Sequence, residues 1–218
     1  YEIPKRDWSS DVCSSDLPKS KRGRLYAISD PKHEKDELIA ETEKIIGSDW
    51  PKKSSDELAK LLAHPDWRVR LEAQFTLAER GAESIKTFST VATSSNSSPY
   101  AALHAIWGLG QLVSKNPAAL DTLRTLLSDP KVSNVRGQII KLLGDHGASD
   151  QADAFISALT ANNNRAKFFA AQSLGKIKHA AAAPALLAAL RANDDKDNYL
   201  RQDRKSTRLN SSHVSESR

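Results

Sequence analysis

A ten-residue pattern of apolar and small side chains recurs along the chain at intervals of 31 to 34 residues. No other feature of the sequence constrains the fold as strongly. The copies begin at Val69, Ala101, Val135, Ala166 and Leu200, and the last copy is incomplete. In each complete copy the first, fifth and ninth positions are apolar, and the ninth is always Leu. This spacing places the three positions on one face of a helix. Such a repeat indicates a solenoid, because each short unit can bury its apolar face only against its neighbours.

A second apolar helix is predicted ahead of each copy. The five segments are residues 56–63, 82–92, 117–127, 150–159 and 180–190. No alternating strand pattern occurs in this part of the sequence. We therefore predict an all-α fold over residues 54–202, a right-handed α-solenoid of about four and a half helix pairs in which the fifth pair is truncated.

Residues 18–53 differ from this array. The stretch 23–28 has the pattern of one short β-strand, and Pro31 follows it closely. A single strand cannot pair with itself, so we expect its partners in sequence upstream of this chain. Residues 34–46 place apolar side chains on one face and predict a linker helix. We expect an orphan strand and a linker helix ahead of the array.

The two ends of the sequence are expected to be artefacts. Residues 7–17 (DWSSDVCSSDL) and 203–213 (DRKSTRLNSSH) have no resemblance as protein, but reverse-complementary DNA strands can encode both. The DNA string resembles a common short-read sequencing adapter. We therefore predict that residues 1–17 and 203–218 are adapter-derived and disordered, and that the chain is a fragment.

No catalytic or metal-binding motif stands out between the two tracts. Glycine-rich phosphate loops, the nucleophile elbow and the zinc-protease helix are absent. The histidines lie far apart in sequence, and none has a second ligand at helical spacing. The one cysteine, Cys13, falls in the first tract. We expect no enzyme activity, no cofactor and no metal site in the chain, and without a long apolar run we expect no membrane contact.

The starts of several copies share a second motif. Asp66 stands three residues before Val69-Arg70, and Asp197 stands three residues before Leu200-Arg201. This motif resembles HEAT repeats, in the short form whose second helix begins with D-x-x-V-R. The arginine has two interpretations. It could bind nucleic acid, or it could form an Asp–Arg ladder between neighbouring repeats, which we favour.

Longer stretches carry a more specific resemblance. The segments GRLYAISDP, LLAHPDWRVRLEAQFTLAERG and LHAIWGLGQL are similar to the middle of bacterial PVC-type haem-binding CxxCH proteins. In those proteins a dehydrogenase-like β-propeller precedes HEAT repeats and a cytochrome c domain follows. The resemblance implies that the chain spaces two redox modules of a larger protein, here called the parent. The parent would carry haem c, would be periplasmic or exported, and would supply the partner domains; the location of the chain itself stays open.

One face of the predicted second helices is enriched in candidate binding residues. By 100° per residue, the positions one before, three after and six after each repeat start lie opposite the buried stripe. Aromatic and arginine side chains are frequent interface anchors. The candidates are Arg68, Phe75, Tyr100, His104, Trp107, Lys141, Arg165 and Phe169. The alternative is that Phe75 and Trp107 fill gaps between repeats.

These observations predict a non-catalytic scaffold or spacer that contacts protein domains. The alternative is a HEAT-like module that binds nucleic acid. The charge distribution disfavours it, because the candidate face mixes arginine and lysine with Glu72 and neutral groups, and the chain has a net charge of only +5.

Overall fold

The computed structural model describes residues 36–94, 98–194, 196 and 197. The chain divides into two compact units, Tyr1–Ala40 and Glu41–Arg218. The described residues contain helices and no strand, which confirms the predicted all-α class for this part of the chain. The predicted strand at residues 23–28 and both predicted adapter tracts lie outside the described residues.

Ten α-helices follow one another along the described chain, with short 3₁₀ turns between some of them. They are α1 (Glu37–Ile46), α2 (Ser55–Leu61), α3 (Trp67–Glu79), α4 (Ser84–Thr93), α5 (Pro99–Val113), α6 (Pro117–Leu127), α7 (Arg136–Asp145), α8 (Ala152–Ala158), α9 (Asn164–Lys176) and α10 (Ala183–Asn193). The five predicted first helices correspond to α2, α4, α6, α8 and α10. The predicted linker helix corresponds to α1.

Helices α2 to α9 form four consecutive pairs, as the repeat predicts. Within each pair the first helix contacts the second, and the second helices α3, α5, α7 and α9 also contact one another in order along the chain. The first helices also contact one another: α2 contacts α4, and α4 contacts α6. The arrangement is that of a helix-pair solenoid, in which each pair packs on the next.

The core of the array is the stripe that the sequence predicts. The ninth-position leucines are all buried: Leu77, Leu109, Leu143 and Leu174. The first helices contribute fully buried aromatic rings, Phe88 on α4 and Phe155 on α8. Burial of each such side chain contributes about 1.5–3 kcal/mol relative to an exposed position. The solenoid is therefore held mainly by one continuous apolar layer.

Side-chain caps at equivalent positions begin three of the four second helices. Asp66, Ser98 and Asn163 each accept a hydrogen bond from a backbone N–H of the first turn of α3, α5 and α9. Such caps satisfy N–H groups that have no partner inside the helix, and each contributes about 1 kcal/mol. The cap of α2 is Ser54, which forms a reciprocal pair of hydrogen bonds with Glu57.

The second compact unit begins at Glu41, ahead of the predicted start of the array at residue 54. Thr42 and Trp50 are buried. Arg80, which follows α3, donates hydrogen bonds to the Ser55 hydroxyl and to the backbone oxygens of Pro51 and Lys53. Residues 50–53 are thus fastened to the first helix pair, and Trp50 packs into the core of the array.

Candidate protein-docking surface

Helix α3 presents an exposed apolar row along one side. Trp67, Leu71 and Phe75 follow one another at intervals of four residues, so they lie on the same side of the helix. Trp67 is 60% exposed and Phe75 is 39% exposed, whereas Leu71 is half-buried. Trp67 occupies the first helical position because Asp66 caps the helix immediately before it.

Tyr100 adds a third exposed aromatic ring at the start of α5. Its side chain is 61% exposed, and the ring centre lies 4.8 Å from the guanidinium carbon of Arg70. Arg70 is buried and donates to the backbone oxygens of His64, at 2.6 Å, and Pro65, at 2.7 Å. The cation fixes the ring by a cation–π contact while one face stays open to solvent. We call Trp67, Phe75 and Tyr100 together the aromatic patch.

The structure places His104 in the interior, which corrects the prediction that it lies on the exposed face. Only 6% of the residue is exposed, and Nδ1 lies 2.8 Å from Oε1 of Gln74 on α3. Because an amide oxygen only accepts, Nδ1 carries the proton. Burial, with a smaller contribution from the charge of Arg70, lowers the pKa of His104 to about 4. The imidazole is therefore neutral at pH 7 and joins two repeats.

Trp107 is half-buried and also joins repeats. Its Nε1–H donates to Oε1 of Gln138 on α7 at 3.1 Å, and its ring meets the His104 ring edge-on, with the ring centres 5.3 Å apart. The structure therefore favours the gap-filling interpretation for Trp107. The same interpretation placed Phe75 in a gap between repeats, but the Phe75 side chain is exposed.

Lys141 is held in a charged cluster between α7 and α9. Its ammonium group lies 2.7 Å from a carboxylate oxygen of Asp145, and Lys176 of α9 pairs with the other oxygen. Burial alone would raise the pKa of Asp145, but hydrogen bonds from the two lysines outweigh it and hold that pKa below its usual range. Lys141 thus pairs within its own helix, and Lys176 joins the two repeats.

Two further candidates on α9 differ in exposure. Arg165 is exposed at the second position of the helix. Phe169 is half-buried, packs against the core, and meets Phe168 edge-on with the ring centres 5.3 Å apart. Arg165 is therefore available to a partner, and Phe169 mainly supports the helix.

The two repeat arginines that the structure describes, Arg70 and Arg136, donate to backbone oxygens of their own repeat and not to an Asp side chain of a neighbouring repeat, which corrects the predicted Asp–Arg ladder at these positions. Arg70 binds the turn between α2 and α3, and Arg136 donates to the backbone oxygen of Asp129 in the turn before α7. Bonds between repeats come instead from other groups, among them Arg124, whose guanidinium binds the carboxylate of Asp150. The motif arginine closes the turn between the two helices of a pair.

The described residues contain no cluster of His, Cys, Asp and Glu that could hold a metal ion. None of their helices is both long and apolar enough to cross a membrane. Two shallow, open depressions lie on the described surface, one beside Asn134 and Arg136 and the other beside Asn164 and Lys167. The aromatic patch on α3 and α5, whose three rings are 39–61% exposed, is therefore the candidate site.

The sequence prediction included Phe75 and Tyr100 but missed Trp67. The predicted face was counted from fixed positions in the ten-residue pattern, and Trp67 lies two residues before the repeat start, just outside that count. A signal was present, because a tryptophan directly after an Asp cap stands in the first turn of a helix, where side chains are often exposed.

Comparison with known proteins agrees with the repeat architecture. A protein-family model of HEAT repeats matches residues 55–138 and 133–204. A comparison with curated proteins gives no match. The two matched regions together span more than half of the chain and contain helices α2 to α10. The chain therefore belongs to the HEAT-repeat family.

Proposed function

We propose that the chain is a non-catalytic scaffold that binds a protein partner through the aromatic patch. The observation that carries this proposal is the exposure of Trp67, Phe75 and Tyr100 on two neighbouring second helices. Exposed rings that are rimmed by polar groups mark interaction sites more often than isolated apolar residues do. HEAT repeats generally mediate protein–protein contacts, and their stacked helices provide extended binding surfaces.

Charge pairing on the candidate face supports a protein partner over nucleic acid. Arg68 is paired with Asp66, and Lys141 is paired with Asp145. Backbone phosphates require several free cations in series. We expect a labelled DNA duplex to bind weakly at physiological salt. Tight binding that falls steeply with added salt would favour the nucleic-acid alternative.

We further propose that the chain is a fragment of a larger bacterial redox protein, in which it spaces a dehydrogenase-like propeller from a cytochrome c domain. The support is the resemblance of the stretches at residues 23–31, 61–81 and 103–112 to PVC-type proteins. In this proposal residues 23–28 form the last propeller strand. Residues 1–17 and 203–218 are adapter-derived, and the parent is periplasmic or exported. Any haem c would be attached outside this chain, since a CxxCH motif needs two cysteines and the chain has one.

Sequencing the uninterrupted gene on both sides of residues 18–202 tests the parent proposal directly. We expect propeller sequence upstream and a CxxCH motif downstream, with natural codons in place of both tracts. An intact reading frame that contains the tracts, or unrelated flanking domains, would contradict it.

The docking proposal is tested with the flanking segments of that gene, expressed separately and titrated against the chain by calorimetry. We expect the double variant Trp67→Ser/Tyr100→Ser to bind at least about tenfold more weakly, since exposed aromatic anchors dominate such interfaces. The control is Leu187→Ser on α10, which removes another exposed apolar side chain, 54% exposed, away from the patch. Equal affinities for the double variant and the control would refute the docking role of the patch.

A further inference from the structure

Unpaired carboxylates lie beside the aromatic patch. Glu72 and Glu79 stand three residues before and four residues after Phe75, so the three side chains share one side of α3. Both glutamates are exposed, and neither forms an ion pair among the residues that the structure describes. The rim of the patch therefore presents negative charge that is free to meet a partner.

The nearby arginines do not cancel this charge at the surface. Asp66 binds Arg68 through both carboxylate oxygens, at 3.1 and 2.8 Å, and this contact lowers the pKa of Asp66 to about 2. Arg70 is buried beneath Tyr100 and is directed to backbone oxygens. Arg80, which follows Glu79, is directed to the Ser55 hydroxyl and to the backbone oxygens of Pro51 and Lys53. None of these arginines pairs with Glu72 or Glu79 among the described residues.

The Tyr100 ring and the backbone of Trp67 are held in place before any partner arrives. Tyr100 rests on Arg70, which is itself fixed by two backbone oxygens of the preceding turn. Trp67 belongs to the first turn of a capped helix. Side chains that are already ordered lose less conformational entropy on binding, so more of the contact energy remains as affinity.

We propose that the aromatic patch binds a partner-protein segment in which an aromatic or long aliphatic anchor is flanked by Lys or Arg. This inference rests on the proposed docking function and specifies its partner. The anchor packs on Trp67 and Tyr100, and the basic groups meet Glu72 and Glu79. Exposed indole and phenol rings also attract cations directly. An acidic segment would place like charges together, which disfavours it.

The partner chemistry is tested by panning a random dodecapeptide library on the intact chain and then measuring the binding of the selected pool to the double variant Trp67→Ser/Tyr100→Ser. We expect the selected pool to be enriched in Lys or Arg next to aromatic or aliphatic residues. A patch-dependent pool that is neutral or acidic would overturn the basic-segment inference and leave the docking function standing. A pool that binds the double variant equally well would overturn both.

The role of the glutamates is tested with the best selected peptide. At low salt we expect Glu72→Gln/Glu79→Gln to weaken its binding roughly threefold to tenfold, because exposed ion pairs each contribute a small amount to affinity. The dependence on salt should decrease as well. The matched control, Asp56→Asn/Asp153→Asn, removes two exposed carboxylates from first helices α2 and α8 and should leave the affinity unchanged. If both variants bind like the unmodified chain, the charge inference fails.

Discussion

At the scale of single residues, polar side chains cross the array from one second helix to the next. Gln74 of α3 contacts His104 of α5, whose ring meets Trp107, and Trp107 donates to Gln138 of α7. A buried polar group costs free energy unless it is paired, so each of these contacts requires the neighbouring repeat to be in register. These contacts specify how the three successive second helices α3, α5 and α7 align. Apolar packing alone specifies that alignment less strictly, because it has no direction.

The buried imidazole predicts that stability depends on pH. The pKa of His104 is about 4 in the fold, against an ordinary value of about 6.5 in the unfolded chain. Below pH 6.5 the unfolded state binds a proton that the folded state does not. Stability should therefore decrease as the pH falls from 6.5 to 4, by up to about 3 kcal/mol, and this contribution should level off below pH 4. Urea unfolding at a series of pH values measures the slope.

His104→Asn separates this effect from the titration of carboxylates. The variant has no group at position 104 that titrates in this range, so its unfolding free energy should change less between pH 7 and pH 4.5. Its stability at pH 7 should also be lower, because the contact with Gln74 is altered. The same slope in both proteins would show that protonation of His104 does not control acid stability.

At the scale of secondary structure, sequence reasoning predicted the helices well and the faces beside the core poorly. The leucine at the ninth position defines a local face of one helix, so its burial follows from periodicity. The burial of His104 depends on α3, which packs alongside α5. A count of 100° per residue on one isolated helix contains no information about that neighbour. Exposure was therefore predicted correctly for Tyr100, at the start of its helix, and not for His104, further along the same helix.

The contact between α7 and α9 predicts a sensitive glycine. A Cβ placed on Gly144 would lie 2.2 Å from Oγ and 2.8 Å from Cα of Ser173. The Ser173 hydroxyl donates to the backbone oxygen of Ile140 at 3.0 Å, so it is held close to α7. Gly144→Ala should force the two helices apart and lower the unfolding free energy by about 1–3 kcal/mol. Chemical denaturation measures the change.

Gly175 provides the matched control. It is an exposed position of α9 with no atom within 4 Å of its added Cβ. Because alanine favours a helix more than glycine does, Gly175→Ala should leave stability unchanged or raise it by up to about 1 kcal/mol. A stability loss at Gly175 as large as that at Gly144 would mean that the cost is not due to the close approach of the helices.

At the scale of the Glu41–Arg218 unit, burial is uneven along the array. Helices α5 and α7 contain many buried residues, whereas α10 contains none. The stability of a solenoid is approximately a sum over neighbouring interfaces, so local opening is easiest where an interface buries least. The aromatic patch lies on α3 and α5, within the well-buried part, and a binding surface there rests on a rigid support.

Helix α10 should consequently exchange its amide hydrogens faster than the central helices do. Its Leu186 and Ala189 pack only partly against the core, and Leu187 is exposed. Opening of α10 therefore loses little buried apolar surface, whereas opening of α7 exposes Ile139, Ile140 and Leu143. Hydrogen–deuterium exchange with peptide-level mass spectrometry compares the two directly. We expect α10 to exchange fully while α7 is still protected; equal protection of the two helices would mean that the array unfolds as one cooperative unit.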